Sequence, residues 1–158
     1  VNSYNGLVPR VGGFEGGTVT WAPTNITYGH NNRSAQFRLP QNRYCIENRA
    51  ADMTMNVYLA LAMTSSAALE GIKNKIDPGK PTDRDLYQMT EDEFKKLGIR
   101  RLPKNLLQAI EALKVDKLAE EVLGPAMKKS FLSYKNDEWE RYHQAVTDWE
   151  VKEYLRLY

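Results

Sequence analysis

The feature that most constrains the fold is a change of hydrophobic period near residue 50. Before that point, short stretches of alternating apolar and polar residues are separated by Gly, Asn and Pro. After it, apolar residues recur three and four positions apart. Alternation is the period of a strand, and spacing by three and four is the period of a helix. The sequence therefore predicts an α+β fold in which strands come first and packed helices follow.

Four segments of the first part are predicted to be strands: 18–21, 26–28, 35–39 and 44–49. The residues between them are turn formers and prolines, which interrupt strands. Because a parallel crossover usually needs a dozen residues or more, such short connections favour antiparallel pairing.

The second part is predicted to hold three helical regions. The first begins near Asn56 and is apolar nearly all round, which indicates burial within a larger body. Pro103 is expected to open the second helix at its first position, and Gly124-Pro125 to separate a short segment from the last helix. The last helix is predicted to carry one apolar face, formed by Trp139, Tyr142, Val146 and Trp149.

Composition excludes several classes of protein. The 158 residues carry a net charge of only +2 and no basic stripe with interleaved aromatics, so a nucleic-acid partner is not expected. No run approaches the ~18 apolar residues of a membrane helix. One cysteine, Cys45, allows no internal disulfide and suits a reducing compartment, so we expect a cytoplasmic protein. The chain starts with Val1 rather than methionine, which suggests a piece of a longer protein.

Short catalytic motifs are lacking, since the sequence has no Gly-Lys-Ser/Thr phosphate loop, paired-histidine zinc helix, Cys-x-x-Cys or serine elbow. The glycine-rich stretch Gly12–Gly17 carries one carboxylate, Glu15, but lacks the lysine and the helix of a nucleotide loop. On its residues alone we expect a flexible hairpin tip more than a functional loop.

Arginines are concentrated in the strand region, at Arg33, Arg38 and Arg49. Glu47 and Arg49 are two apart, so on a strand their side chains project from one face. Arginine forks suit phosphate oxygens, and a carboxylate suits a divalent ion bridging such oxygens. The spacing leaves two interpretations open, a surface ladder of ion pairs or a site for phosphate and metal.

Eight motifs come in the order and near spacing of the glutamine synthetase family, which the chain resembles: Asn2-Ser3-Tyr4, Leu7-Val8-Pro9, Asn31-Asn32-Arg33-Ser34, Arg38-Leu39-Pro40, Ile46-Glu47-Asn48-Arg49, Asn56-Val57-Tyr58-Leu59, the stretch 71–79 and Asp85-Leu86-Tyr87. The resemblance is strong from Val1 to about Leu113 and weaker through the terminal helix. It implies that residues 1–158 are the C-terminal part of one catalytic domain, with active-site strands and a flap loop in 1–50 and a helical part in 51–158.

The resemblance also implies an activity. The family forms an amide from glutamate and ammonia by way of γ-glutamyl phosphate, using ATP and Mg²⁺ or Mn²⁺, in homo-oligomers of stacked rings. Its remaining metal ligands belong upstream and each site is completed by a neighbouring subunit, so the isolated chain is expected to be inactive.

By the same resemblance, Glu47 binds the metal on the nucleotide side. Arg33 and Arg38 match arginines that stabilise phosphoryl transfer and grip the phosphates of ATP. Arg49 matches the arginine that contacts the substrate carboxylate and phosphoryl group. Glu15 resembles the flap glutamate that closes the site and helps deprotonate ammonium.

Three departures from the family pattern keep other substrates open. Asn5-Gly6 replaces a Lys-Arg pair whose arginine holds the α-carboxylate of glutamate, so another cation substitutes or the acid differs. Cys45 replaces an arginine that faces the nucleotide, with Arg43 as the nearest substitute. Val57 replaces a proline, a change we interpret as structural. Tyr87 falls where some bacterial members are adenylylated, and we interpret it as a structural tyrosine.

Two alternatives accompany the leading prediction of a glutamate–ammonia ligase. One is a relative that joins glutamate, or another acid, to an organic amine. The other is a catalytically silent member with a structural or regulatory role, against which the retention of Glu47, Arg33, Arg38 and Arg49 argues.

Overall fold

The computed structural model describes residues 23–52 and 54–155. Backbone contacts divide the chain into two compact units, residues 1–109 and 110–158. The described part of the first unit holds a four-stranded sheet in the order β3-β2-β1-β4. Its strands are β1 (Asn25–His30), β2 (Ala35–Leu39), β3 (Glu47–Asn48) and β4 (Arg100–Arg101).

The sheet is mixed. The strands β1 and β4, which are distant in sequence, pair antiparallel. The pair β2–β3 is also antiparallel, as its short connection predicted. For β1 and β2 that prediction was wrong, because these two strands run parallel, with His30 opposite Leu39. Residues 31–34 connect the end of β1 to the start of β2, so the chain runs back along β1 without a crossover helix. The return begins at Asn31, whose φ of 52° lies in the left-handed region that asparagine tolerates, and whose N–H donates to the Leu39 carbonyl at 2.8 Å.

The predicted strand positions were met unevenly. Strand β2 coincides with the predicted segment 35–39, and β1 extends the predicted 26–28 at both ends. The predicted strand 44–49 shrinks to Glu47–Asn48. Segment 18–21 lies outside the described residues. Strand β4 belongs to the part of the chain that was predicted as helical.

A small hydrophobic cluster packs in the first unit: Ala35, Leu86, Met89 and Phe94, with Ile99 against them. Phe94 lies on α2 (Glu91–Leu97), which starts at a capping box between Thr90 and Glu93 and ends at Gly98 with φ 66°. A 3₁₀ turn, Leu86–Gln88, precedes it. This region lies between the first two predicted helices, and the sequence analysis missed its Thr-x-x-Glu signal of a helix start.

Helix α1 (Val57–Lys73) is capped by Asn56, whose side chain accepts from the N–H groups of Tyr58 and Leu59 at 3.0 and 3.2 Å. Val57 is thus the first helical residue, the position that proline also favours, which fits a purely structural substitution. The described part of the chain buries no residue of α1, and Tyr58 is 82% exposed. Burial of α1 within a larger body stays a prediction, because the described residues alone do not cover it.

The remaining helices are α3 (Leu106–Val115), α4 (Lys117–Gln144) and α5 (Asp148–Tyr154). Helix α3 starts three residues after Pro103, because the Asn105 side chain accepts from the Gln108 N–H at 2.9 Å as a cap does. Helix α4 is interrupted at Gly124 (φ 71°), which confirms the predicted break. No helix in the described ranges is long and apolar enough to cross a membrane.

The prediction of one terminal helix through Trp139 and Trp149 was wrong. Helix α4 ends at Gln144, and α5 starts after Thr147, which forms a second capping box with Glu150. The first backbone N–H groups of a helix have no partner within the helix, and the cap satisfies them here as it does at the start of α2. A continuous helix would have no such groups at this position.

Candidate active site

The core of the candidate site is a pair of charged side chains on adjacent strands. Arg38 of β2 lies directly opposite Glu47 of β3 in the antiparallel register, so both project from one face of the sheet. Nη1 of Arg38 donates to both carboxylate oxygens of Glu47, at 3.1 and 3.0 Å. The two side chains are 16% and 22% exposed, so this is a partly buried, charge-assisted contact.

A second arginine reaches the same carboxylate. Arg43, in the loop between β2 and β3, donates through Nη2 to Oε1 of Glu47. Its pKa is raised, first by the hydrogen bond to Glu47 and then by the neighbouring Cys45. The structure therefore places Arg43 beside residue 45, where the sequence analysis expected a replacement cation.

Glu47 is held as an anion. The hydrogen bond from Arg38 lowers its pKa most, and the hydrogen bond from Arg43 adds to the effect, against an opposing contribution from burial. The carboxylate remains charged well below neutral pH, and its single negative charge is shared by two guanidinium groups.

The other end of the Arg38 guanidinium meets the tight return between β1 and β2. Its Nη2 donates to Oδ1 of Asn31. Within the described residues, Nε of Arg38 is buried and has no hydrogen-bond partner. A buried donor without a partner is uncommon and marks places where a ligand or water completes the bonding.

Arg49 and Arg33 meet through the backbone. The Arg49 N–H donates to the Gln36 carbonyl at 2.8 Å, which continues the β2–β3 ladder and keeps Arg49 on the face of Glu47, as its spacing predicted. Nε of Arg49 donates to the Arg33 carbonyl at 2.9 Å. The side chain of Arg33 belongs to an exposed residue. The structure thus brings four of the predicted residues, Arg38, Arg43, Glu47 and Arg49, to the paired strands β2 and β3 and the segments that adjoin them.

Comparison with known proteins gives the family. The family model described as "Glutamine synthetase, catalytic domain" matches residues 1–154. The chain belongs to the glutamine synthetase catalytic-domain family. This confirms the predicted family and, with the strands and helices described above, the α+β class.

The relatives of this glutamine synthetase family member include enzymes with two different names. A glutamine synthetase of Methanocaldococcus jannaschii is 41% identical over 98% of this chain and 33% of its own length. A glutamate–methylamine ligase of Methyloversatilis universalis is 42% identical over 100% of this chain and 34% of its own. The chain therefore spans about a third of the length of the curated relatives it matches.

Solved structures of the family show the same fold. A structure titled "GmaS/ADP complex" superposes with a TM-score of 0.75 and 37% identity, covering 88% of this chain and 32% of that one. A structure of GmaS without ligand superposes with a TM-score of 0.70, also at 37% identity, over 84% and 30%.

Other predicted positions of the glutamine synthetase family lie outside the description. Glu15, with the loop Gly12–Gly17, and the departure Asn5-Gly6 all precede residue 23, where the described part begins. Their roles stay predictions.

Tyr87 lies next to this site in the 3₁₀ turn. It is partly buried, and burial raises the pKa of its phenol to about 12, although the nearby positive charge of Arg49 opposes the rise. A partly buried phenol of this kind fits a structural tyrosine.

The fit to a metal depends on residues from elsewhere. Within the described ranges, no group of three or more His, Cys, Asp or Glu side chains could hold a metal ion. Glu47 offers one carboxylate, and its oxygens already accept from Arg38 and Arg43. A carboxylate has about four lone-pair sites, so Glu47 can still supply one ligand to an ion whose other ligands come from the rest of the protein.

A separate concavity of about 690 Å³ lies on the first unit, between β1, the segment 78–84 and the end of α2. Its lining shares no residue with the Arg38–Glu47 pair. Sequence reasoning did not foresee it, because its walls come from three segments that are distant in sequence.

Sequence reasoning also missed the two asparagines of the return. The side-chain amide of Asn32 donates to the carbonyls of Thr82 and Arg84 at 2.6 and 2.9 Å, and its oxygen accepts from the N–H and hydroxyl of Ser34 at 2.9 and 2.7 Å. Both asparagines stood in a quoted family motif, but spacing alone gave no sign of these long-range bonds.

Proposed function

We propose that this chain forms part of the active site of a longer, ATP-dependent ligase that makes an amide from glutamate and ammonia through a γ-glutamyl phosphate. The observation that carries the proposal is the cross-strand pair of Arg38 and Glu47, with Arg43 on the same carboxylate, in a member of the glutamine synthetase family. Two guanidinium groups that converge on one anion form a site that suits phosphate oxygens.

Arg38 and Arg43 bind the phosphates of ATP in this proposal. Their planar forks match phosphate oxygens, and the partly buried setting of Arg38 strengthens such contacts relative to water. Glu47 supplies one ligand to Mg²⁺ or Mn²⁺, and its lowered pKa keeps that ligand ionised. The ion, when bound, neutralises charge on the transferring phosphoryl group.

Arg33 and Arg49 act on the reacting groups. Arg49 contacts the substrate carboxylate and phosphoryl group, and its Nε bond to the Arg33 carbonyl at 2.9 Å fixes the direction of the guanidinium. The exposed Arg33 stabilises the charge on the phosphoryl group during its transfer. Glu15 closes the site against water and helps to deprotonate the incoming ammonium, which becomes a nucleophile only when neutral.

A glutamate–amine ligase is the second candidate. Its support is the 42% identity to a glutamate–methylamine ligase and the TM-score of 0.75 with the ADP complex of GmaS. The Asn5-Gly6 pair bears on the acid and not on the amine, so it keeps a ligase that uses another acid open beside both candidates.

The proposal extends to the surroundings of the enzyme. It places the protein in the cytoplasm, where the exposed thiol of Cys45 stays reduced. It also gives the longer protein a homo-oligomer of stacked rings, with the apolar face of α1 covered by the rest of that protein. The isolated chain is inactive in this proposal, because the carboxylates of residues 23–52 and 54–155 do not make up a metal site by themselves.

Phosphate release by the longer protein tests the proposal. With ATP and Mg²⁺, a panel of acids is offered with ammonia or methylamine. Glutamate with ammonia as the best pair supports a glutamine synthetase, and glutamate with methylamine supports the second candidate. No turnover with any pair would favour a silent structural member.

Two variants make the assay specific to the site. Glu47→Ala should abolish phosphate release, because it removes the metal ligand and the carboxylate that pairs with Arg38. Glu111→Ala is the matched control, since Glu111 lies on α3 and forms an ion pair with Lys114. Equal activity of the two variants would contradict the role of Glu47.

A further inference from the structure

Asn31 holds one end of the Arg38 guanidinium. Its Oδ1 accepts from Nη2 of Arg38, while Nη1 of Arg38 serves both oxygens of Glu47. Asn31 takes a φ of 52°, one of two non-glycine residues in the described ranges with positive φ; Lys75 is the other. The residue thus pairs an uncommon backbone conformation with a contact to a functional side chain, a combination that marks functional turns.

The turn that carries Asn31 is itself fixed. Asn32, which is 8% exposed, bonds to the carbonyls of Thr82 and Arg84 and to Ser34. Ser34 in turn accepts from the Leu86 N–H at 2.9 Å. The Asn31 oxygen therefore projects from a rigid segment, and the direction it gives to Arg38 is set in advance of any ligand.

The contact decides which geometry Arg38 adopts toward Glu47. Arginine and carboxylate prefer a bidentate pair, in which two nitrogens face two oxygens. Here Asn31 retains Nη2, so Nη1 alone serves both oxygens of Glu47. Without Asn31, Nη2 would be free to close onto Glu47, and the fork would turn away from an incoming phosphate.

We propose that Asn31 is a positioning residue that keeps the Arg38 fork aimed at the nucleotide phosphates. The proposal rests on the proposed function, in which Arg38 binds those phosphates. It assigns to the asparagine at position 31 a role in nucleotide affinity, exerted through Arg38 and not through direct contact.

The test is a calorimetric titration in which ADP, with Mg²⁺ present, is added to the longer protein and the ADP affinity is measured. Asn31→Gly removes the acceptor while keeping the positive φ, because glycine adopts that conformation at no steric cost. We expect affinity to fall about tenfold, which corresponds to ~1.4 kcal/mol, with an unchanged thermal midpoint. Lys75→Gly is the matched control for glycine at positive φ (50° at Lys75), and should leave ADP affinity unchanged.

A double-mutant cycle separates positioning from a merely structural role. In an Arg38→Ala background, which retains Arg43 as a phosphate donor, Asn31→Gly should have no further effect. An equal loss in both backgrounds, or no loss beside intact Arg38, would overturn the proposal while leaving the proposed function in place. Failure of the unmutated protein to bind ADP would overturn the proposed function and the role of Asn31 with it.

Discussion

Arg38 and Glu47 face each other across the antiparallel pairing of β2 and β3, with one guanidinium nitrogen 3.1 and 3.0 Å from the two carboxylate oxygens. The contact exists only in this register, because a slip of one residue turns every side chain of a strand to the other face. The backbone pairing therefore sets the charge arrangement that the proposed function uses.

The pairing predicts how Glu47 responds to acid. Its folded pKa lies below the usual 4.5, chiefly through Arg38, so its contribution to stability is present above about pH 4.5 and is lost as the pH falls through the folded value. Arg38→Met should raise the pKa of Glu47 and make acid destabilisation below pH 4.5 less steep. Carboxyl-carbon NMR titration measures the shift directly.

Glu150 provides the reference within the same titration. Its pKa is lowered by hydrogen bonds from Thr147 and owes nothing to Arg38. It should stay in place in the Arg38→Met variant. A Glu47 resonance that also stays in place would show that Arg38 does not set its charge.

Much of the fold and site was open to sequence reasoning because it depends on local patterns. Alternation located β2 to the residue, and strand periodicity placed Glu47 and Arg49 on one face. Gly124 and Pro125 predicted the break in α4, since both residue types oppose a continuous helix.

The failures share a different cause, because each depends on bonds between segments distant in sequence or on a cap that outweighs periodicity. The parallel pairing of β1 and β2 depends on the φ of Asn31 and on the anchoring of Asn32 to Thr82 and Arg84, about fifty residues away. The break before α5 depends on Thr147, although the aromatic spacing continued past it. Neither is visible in a window of one helix or strand.

Gly29 should be irreplaceable for a steric reason. A Cβ added there would lie 2.2 Å from the Thr82 carbonyl oxygen and 2.9 Å from Cβ of Asn32, and backbone cannot move aside cheaply. Gly29→Ala should destabilise the protein by about 1–3 kcal/mol. Gly71→Ala is the control, because a Cβ in that helix meets nothing within 4 Å and should stabilise by about 0.5–1 kcal/mol. Urea unfolding followed by circular dichroism distinguishes the signs, and a neutral Gly29→Ala would contradict the close approach.

The capping box of α2 should support the small core of the first unit. Thr90 accepts from the Glu93 N–H, and the Glu93 carboxylate accepts from the N–H and hydroxyl of Thr90 at 2.8 and 3.1 Å. Thr90→Ala should cost about 1 kcal/mol and increase amide exchange in α2, whereas Thr90→Ser should keep the cap. Equal exchange in the two variants would show that packing of Phe94 alone holds the helix.

Tyr87 should remain neutral into strongly alkaline solution. Burial raises the pKa of its phenol to about 12 from 10.0, against the opposing charge of Arg49, so the unfolded chain loses this proton first and stability falls between about pH 10 and 12. Absorbance of phenolate against pH should show a late step that Tyr87→Phe removes and that Tyr44→Phe, at a fully exposed position, leaves in place. A late step unchanged in Tyr87→Phe would mean that this phenol is open to solvent, and would reopen its interpretation as a modification site.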